Sequence, residues 1–244
     1  MRRFLTALAG LSTVVVDDLP NGAQPGLAVI LCHGFGASGT DLVDVGGEIL
    51  ALSDKLAATT RCYFPAAPVD LADYGMFGAR AWWMIDFEAI QRAQREGGFR
   101  QRLRDERPDG LVEARAQLLA LVTAVRQETG LGLDRIVLGG FSQGAMLAVD
   151  VALQLESSPA GLLVWSGTLL NEVEWRKLGP ARKGLKVVQS HGRQDQILPF
   201  AWAEYLRDTL TDLGLQVEFL PFDGPHTISL QALQRSVALL ETIG

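Results

Sequence analysis

An α/β protein, with a mostly parallel central sheet covered by helices on both faces, is what this sequence predicts. Three observations carry the expectation. Short runs rich in Val, Ile and Leu alternate along the chain with amphipathic stretches. Several runs, Leu27 to Cys32 and Gly161 to Trp165 among them, are apolar at successive positions, as strands buried on both faces are. The run Arg135 to Leu138 then passes through Gly140-Phe141-Ser142-Gln143-Gly144 into the helical-looking Ala145 to Val149: strand, sharp turn, helix.

Taken in order, Leu11 to Val16 is a β-favouring run closed by Asp17-Asp18 and the turn-rich Pro20-Asn21-Gly22, and reads as an edge strand. Leu27 to Cys32 is a buried strand ending at His33-Gly34-Phe35-Gly36. Leu42, Val45, Ile49, Leu52 and Leu56 recur at spacings of three and four, one face of a helix that Gly46-Gly47 weakens. Cys62 to Phe64 is a short strand stopped by Pro65 and Pro68, and residues 69 to 86 read as an aromatic-rich loop. From Phe87 to Asp109 the composition turns abruptly charged, with six arginines broken by Gly97-Gly98. This reads as an insertion presenting a solvated helical face; its functional alternative is a flap over the active site that attracts an anionic substrate group.

Leu111, Leu118, Leu121, Val122 and Val125 define a long amphipathic helix leading through Gly130-Leu131-Gly132 into the serine strand. Beyond the serine helix, Gly161 to Trp165 is followed by a turn region reaching Gly184. Leu185 to Gln189 is a strand running out at Ser190-His191-Gly192. Trp202, Leu206, Leu210 and Leu213 face one side of a helix, Gln216 to Phe222 makes a last strand, and Ile228, Leu233, Val237 and Leu240 mark a terminal helix. No linker or internal repeat divides the 244 residues, so a single domain over 1 to 244 is expected.

Composition narrows the function. With 48% hydrophobic and 20% charged residues the chain has a core to bury and too few charges for disorder. A formal net charge of −6 offers no electrostatic footprint for nucleic acid or an anionic membrane. Cys32 and Cys62 lie in apolar runs and read as buried thiols of a reducing compartment. Arg2-Arg3 before Phe4 to Ala9 has the flavour of a signal segment, but the apolar stretch is short for one. A cytoplasmic protein without stable membrane insertion is expected.

The chemistry centres on Ser142. A nucleophilic serine must project from a turn so tight that its flanking residues nearly touch, which glycine at 140 and 144 permits. The following helix aims its free N–H groups at the reacting centre. Such a serine needs a base and an acid to orient that base. Of the histidines, His33, His191 and His226 each follow a strand, and all belong at the carboxyl edge of a parallel sheet. The serine, acid, histidine order of this turn selects His226 as base and Asp195, after the penultimate strand, as acid; Asp223, three residues from His226, better serves a turn. Backbone N–H groups of Gln143 and Phe35 are the expected oxyanion donors. His33 and His191 read as turn histidines bonded to backbone, and neither has metal-ligand spacing. Trp82 and Trp83 are candidate substrate-pocket residues, with core packing as the alternative. No metal or cofactor is called for.

Together these segments resemble the phospholipase/carboxylesterase family of α/β-hydrolases, which includes the acyl-protein thioesterases. The resemblance runs through Leu31 to Gly36 with Asp41-Leu42, Phe64 to Pro68, Ala79 to Trp83, Gly140 to Ala145, Trp165-Ser166-Gly167, His191-Gly192 with Asp195 and Pro199, and His226. It implies an α/β-hydrolase fold, a Ser142, Asp195, His226 triad, oxyanion donors at Phe35 and Gln143, and cofactor-free hydrolysis of carboxylic esters, acyl thioesters or lysophospholipids. The chain departs from the pattern at Ala37, at Met84 and in the length of the charged segment, all of which bear on acyl and alcohol specificity. The expected partner is a small-molecule ester or thioester, with a homodimer left open. Two rival readings accompany this one: acyl transfer or perhydrolysis on the same site, and a non-catalytic binding protein on a hydrolase scaffold.

Overall fold

The computed structural model describes residues 1–86 and 107–244, with residues 88, 92 and 95 between them. The charged insertion 87–109, and the flap expected of it, lies largely outside the described residues. Eight strands form one sheet: β1 (Arg2–Leu8), β2 (Leu11–Asp17), β3 (Leu27–Cys32), β4 (Thr60–Pro65), β7 (Ile136–Phe141), β8 (Gly161–Trp165), β9 (Lys186–Gly192) and β10 (Gln216–Phe222). Their spatial order is β1-β2-β4-β3-β7-β8-β9-β10. From β4 to β10 all neighbours are parallel, while β2 runs antiparallel to both β1 and β4. A separate ribbon pairs β5 (Val69–Asp70) with β6 (Arg80–Ala81).

Alternation along each strand divides the core between two faces. Ala28, Ile30, Ile136, Leu138, Leu162 and Val164 point to one side. There they meet helices α3 (Leu111–Thr129), α4 (Gln143–Gln154), α5 (Glu172–Leu178) and α6 (Phe200–Asp212). Leu27, Val29, Leu31, Val137, Leu163 and Val188 point to the other. That face is covered by α1 (Val43–Ala51), α2 (Asp54–Thr59) and α7 (Leu230–Glu241). Because both faces are covered, the central strands carry apolar residues at every position, which is why they were legible as continuous runs. Among the described residues no helix is long and apolar enough to cross a membrane.

Three expectations are corrected. The edge strand is β1, not the run from Leu11. Ala9 and Gly10 both have positive φ, 50° and 81°, and form the two-residue turn that folds β1 back along β2 from Arg2↔Asp17 to Leu8↔Leu11. Asp17 is fully buried and takes hydrogen bonds from Arg2 and, across the sheet, from Arg61, so β2 is an interior strand. Second, the helix expected over 42 to 56 is two helices, broken at Ser53 and not at the glycines. Ser53 caps α2 by accepting from the Leu56 N–H, and its hydroxyl donates to Glu241 of α7 at 2.6 Å. Gly46 remains helical because a Cβ there would come within 2.2 Å of the Phe64 ring, so its bareness lets α1 lie against β4. Third, the region expected to be turn as far as Gly184 contains α5. This helix buries one large side chain, Trp175, too little apolar material to show a period. The Trp175 indole donates to Asp150 of α4 at 2.8 Å, and Arg115 of α3 grips the same buried carboxylate through Nε and Nη2.

Parallel strands deliver their carboxyl ends to one edge. β3 leads sideways to β4, whereas β7 leads the other way to β8, β9 and β10, so the chain reverses its lateral direction between β3 and β7. A crevice at that edge is where sites in such sheets assemble.

Candidate active site

The site is built at the joint between β7 and α4. Ser142 has φ 54° and ψ −119°, a region that L-residues rarely occupy. Its neighbours explain how the chain tolerates this. A Cβ on Gly140 would lie 2.4 Å from the Cys32 carbonyl oxygen, and one on Gly144 only 2.0 Å from it. The glycines let the turn press directly on the end of β3. The Ser142 N–H donates to Trp165 of β8 at 2.9 Å, and its carbonyl accepts from Ala145 and Met146 to start α4. At the far end of α4, the Arg182 guanidinium donates to the carbonyls of Ala152 and Leu155, a cation at the negative end of the helix.

His226 follows β10 and lies beside this turn, its ring 4.7 Å from that of Phe141. Its Nδ1 hydrogen-bonds Asp195 Oδ2 at 2.6 Å, leaving Nε2 as the atom able to serve a serine hydroxyl. Asp195 is held from the other side too: Oδ1 accepts from the backbone N–H groups of Ile197 and Leu198 at 2.9 and 2.8 Å. Burial of the Asp195 carboxyl would raise its pKa, but the hydrogen bonds from His191, His226 and Leu198 outweigh that and hold it well below the usual carboxylate range. It is therefore a fixed anion. It does not cap α6, whose N-cap is Pro199. Asp223, the competing acid, is 86% exposed and faces Arg193 at 3.8 Å.

A carboxyl whose pKa is lowered by folding adds stability that is present above its unfolded value near 4 and lost as pH falls towards the folded one. Asp195→Asn should therefore remove part of the acid sensitivity: urea midpoints of wild type should fall more steeply below about pH 4 than those of the variant. Parallel curves would refute the fixed anion.

The turn after β3 sits over the serine. A Cβ on Gly34 would be 3.3 Å from the Ser142 Cβ, a tight contact that the bare glycine avoids. The turn is tied down by the Gly36 N–H to the Arg80 carbonyl and the Arg80 N–H to the Ala37 carbonyl, both 2.9 Å. Phe35 immediately precedes these anchors and Gln143 opens α4, so the two expected oxyanion donors belong to the turns after β3 and β7. His33 is a turn histidine as expected. Its Nε2 accepts from the Ala67 N–H at 2.9 Å and its Nδ1 donates to the Gly34 carbonyl at 2.8 Å. Burial lowers its pKa, which suits that unprotonated Nε2.

Trp82 and Trp83 are 1% and 3% exposed and pack in the larger of the two core clusters. They serve the site through hydrogen bonds. The Trp82 indole donates to the His33 carbonyl at 2.9 Å. The Gln143 side chain clamps the pair, accepting from the Trp82 N–H at 3.0 Å and donating to the Trp83 carbonyl at 2.8 Å. Sequence reading assigned Gln143 a backbone role and missed this one; a buried amide beside an aromatic pair leaves no periodic signal. Ser166 was also passed over. It is buried with φ 50°, and its hydroxyl donates at 3.0 Å to the carbonyl of Thr227, the residue after His226. Among the described residues no cluster of His, Cys, Asp or Glu is arranged to hold a metal.

Comparison with known proteins agrees with this geometry. The family model described as phospholipase/carboxylesterase matches residues 20–243. Acyl-protein thioesterase 1 of Eremothecium gossypii is 30% identical over 229 residues, covering 90% of this chain and 89% of that relative. Acyl-protein thioesterase 1 of Mycosarcoma maydis is 26% identical, covering 96% and 97%. Among solved structures, esterase PE8 superposes with a TM-score of 0.76 at 24% identity, covering 98% of this chain and 99% of that one. A carboxylesterase from Mesorhizobium loti gives 0.72 at 16% identity, covering 99% of both chains. These likenesses show the fold, and the family match spans six of the eight strands, β3 to β10 without the ribbon, and all the candidate site residues. The chain belongs to the phospholipase/carboxylesterase family, has the α/β-hydrolase fold, and is a serine hydrolase.

Proposed function

We propose that the protein hydrolyses carboxylic esters and acyl thioesters through an acyl-serine intermediate on Ser142. The observation that carries this reading is the strained Ser142 at the head of α4, beside a His226 whose Nδ1 is fixed by Asp195 at 2.6 Å. His226 Nε2 takes the hydroxyl proton as Ser142 Oγ attacks the acyl carbonyl carbon. The resulting oxyanion accepts from the N–H groups of Phe35 and Gln143. The proton then passes to the leaving alcohol or thiol as its bond to carbon breaks. In the second half, water gives its proton to His226 and its oxygen to the acyl carbon, and the carboxylic acid departs as Ser142 Oγ recovers the proton.

Both thioesterase relatives span this chain nearly end to end, which favours acyl thioesters among the substrates. Cys32 and Cys62 are free and buried, and burial followed by the nearby Asp17 charge pushes the Cys62 thiol up to about 12. Two such inert thiols suit a reducing compartment, and we assign the protein to the cytoplasm.

The test is a fluorophosphonate label followed by hydrolysis of p-nitrophenyl esters and acyl thioesters of increasing chain length. Labelling at Ser142 with turnover is expected, the preferred length reporting the depth of the acyl site. An unlabelled protein would point to a binding scaffold. Product that partitions to an added alcohol ahead of water would point to acyl transfer.

A further inference from the structure

Asp195 Oδ2 faces two histidines. His226 Nδ1 reaches it at 2.6 Å, and His191 Nε2 approaches the same oxygen at 3.2 Å. His191 is the sixth residue of β9, fully buried, and its Nε2 also lies 2.7 Å from the Leu198 carbonyl. A carbonyl only accepts, so Nε2 carries the proton and shares it between Leu198 and Asp195. Its Nδ1 is buried with no hydrogen-bond partner. Leu198 closes the ring, because its N–H donates to Asp195 Oδ1 at 2.8 Å. Asp195, Leu198 and His191 thus form a cyclic network that includes Oδ2, the oxygen His226 also uses. An edge contact from the Phe200 ring, 6.2 Å away, packs against the imidazole.

We propose that His191 is a positioning residue of the triad: its Nε2–H orients the Asp195 carboxylate and takes up part of the charge on the oxygen that His226 uses. The inference rests on the acyl-serine reading above. Two effects follow. The carboxylate cannot rotate about its Cβ–Cγ bond without breaking bonds to four donors, so the imidazole of His226 that it holds keeps a single orientation. A second donor on Oδ2 also takes up part of the negative charge that faces the His226 Nδ1–H. The flanking charges are engaged elsewhere and do not substitute for His191. Arg193 lies over the Phe200 ring at 4.9 Å and faces the exposed Asp223, while Glu204 and Arg207 of α6 pair with each other at 3.5 Å.

The experiment compares His191→Leu with His191→Gln, whose amide nitrogen can reach where Nε2 stands. Rates are normalised to the sites labelled by fluorophosphonate, so that a partly misfolded preparation does not count as a slow one. In His191→Leu, kcat per labelled site should fall roughly tenfold, with KM little changed. The acid limb of its kcat/KM profile should move up by about half a pH unit. His191→Gln should recover most of the rate and return the limb to its wild-type position. A leucine variant matching wild type in rate and limb would overturn the inference, as would a glutamine variant as impaired as leucine, since packing and not the donor would then matter. Failure of the acyl-serine reading has a different signature, an unlabelled Ser142 in the wild-type protein, and would take this inference with it.

Discussion

Replacing Ser142 by alanine is expected to lower kcat for ester hydrolysis by on the order of 10⁵ to 10⁶, the scale seen when a hydrolase triad loses its nucleophile, while the fold survives. Among the described residues Ser142 is held by its backbone, its N–H donating to Trp165 and its carbonyl accepting from Ala145 and Met146. Glycine at the same position separates catalysis from strain. The conformation at φ 54°, ψ −119° costs an L-residue about 1 to 3 kcal/mol, and glycine escapes it at a smaller entropic cost in the unfolded chain. Ser142→Gly should therefore be as inactive as alanine yet about 1 kcal/mol more stable than wild type. Urea midpoints and p-nitrophenyl ester assays on the two variants test both halves. Residual turnover in alanine near the wild-type rate would remove Ser142 from the mechanism, and a glycine variant less stable than wild type would remove the strain argument.

The second large effect is expected at Gly144. Its added Cβ would stand 2.0 Å from the Cys32 carbonyl oxygen, 2.4 Å from the Cys32 carbonyl carbon and 2.5 Å from the His33 carbonyl oxygen. All three are backbone atoms of a strand end that β4 and β7 hold on either side, so no side chain can swing aside. Gly144→Ala must lift α4 or displace β3, and a loss of more than about 4 kcal/mol is expected, enough to deplete folded protein. Gly47→Ala makes the contrast. There the Cβ meets nothing nearer than the Met1 sulfur at 3.5 Å within helix α1, and the change should be neutral or stabilising by up to about 1 kcal/mol. Chemical denaturation of both variants decides it. A Gly144→Ala protein as stable as wild type would mean that the joint between β7 and α4 is looser than these distances allow.

Much of the fold was legible because its central strands are buried on both faces and its helices on one. The runs at Leu27, Ile136 and Gly161 and the helices that begin at Leu111 and Phe200 announced themselves through continuous or three-four patterns of apolar residues. The elements that escaped, β1 and α5, lack those patterns for a physical reason. β1 is exposed along most of its length and exists because Ala9-Gly10 turns it back onto β2, and α5 is held by hydrogen bonds from Trp175 and Arg115 that join residues distant in sequence.

The site divides in the same way. Ser142, Asp195 and His226 follow strands of a parallel sheet in a fixed chain order, and that order with the glycines at 140 and 144 makes them the candidates from the residues alone. Which partner holds a carboxylate or a tryptophan backbone depends on groups brought together from separate elements: Asp195 meets His226 across 31 residues, and Gln143 grips Trp82 across 61. His191 stands only four residues before Asp195, and what the chain left open there is the orientation of its ring. Local pattern follows from burial and backbone geometry, which act on neighbouring residues and so leave their mark in sequence. The bond between His226 and Asp195 and the clamp on the tryptophans arise only when the sheet closes and distant groups meet, and tertiary packing alone decided them.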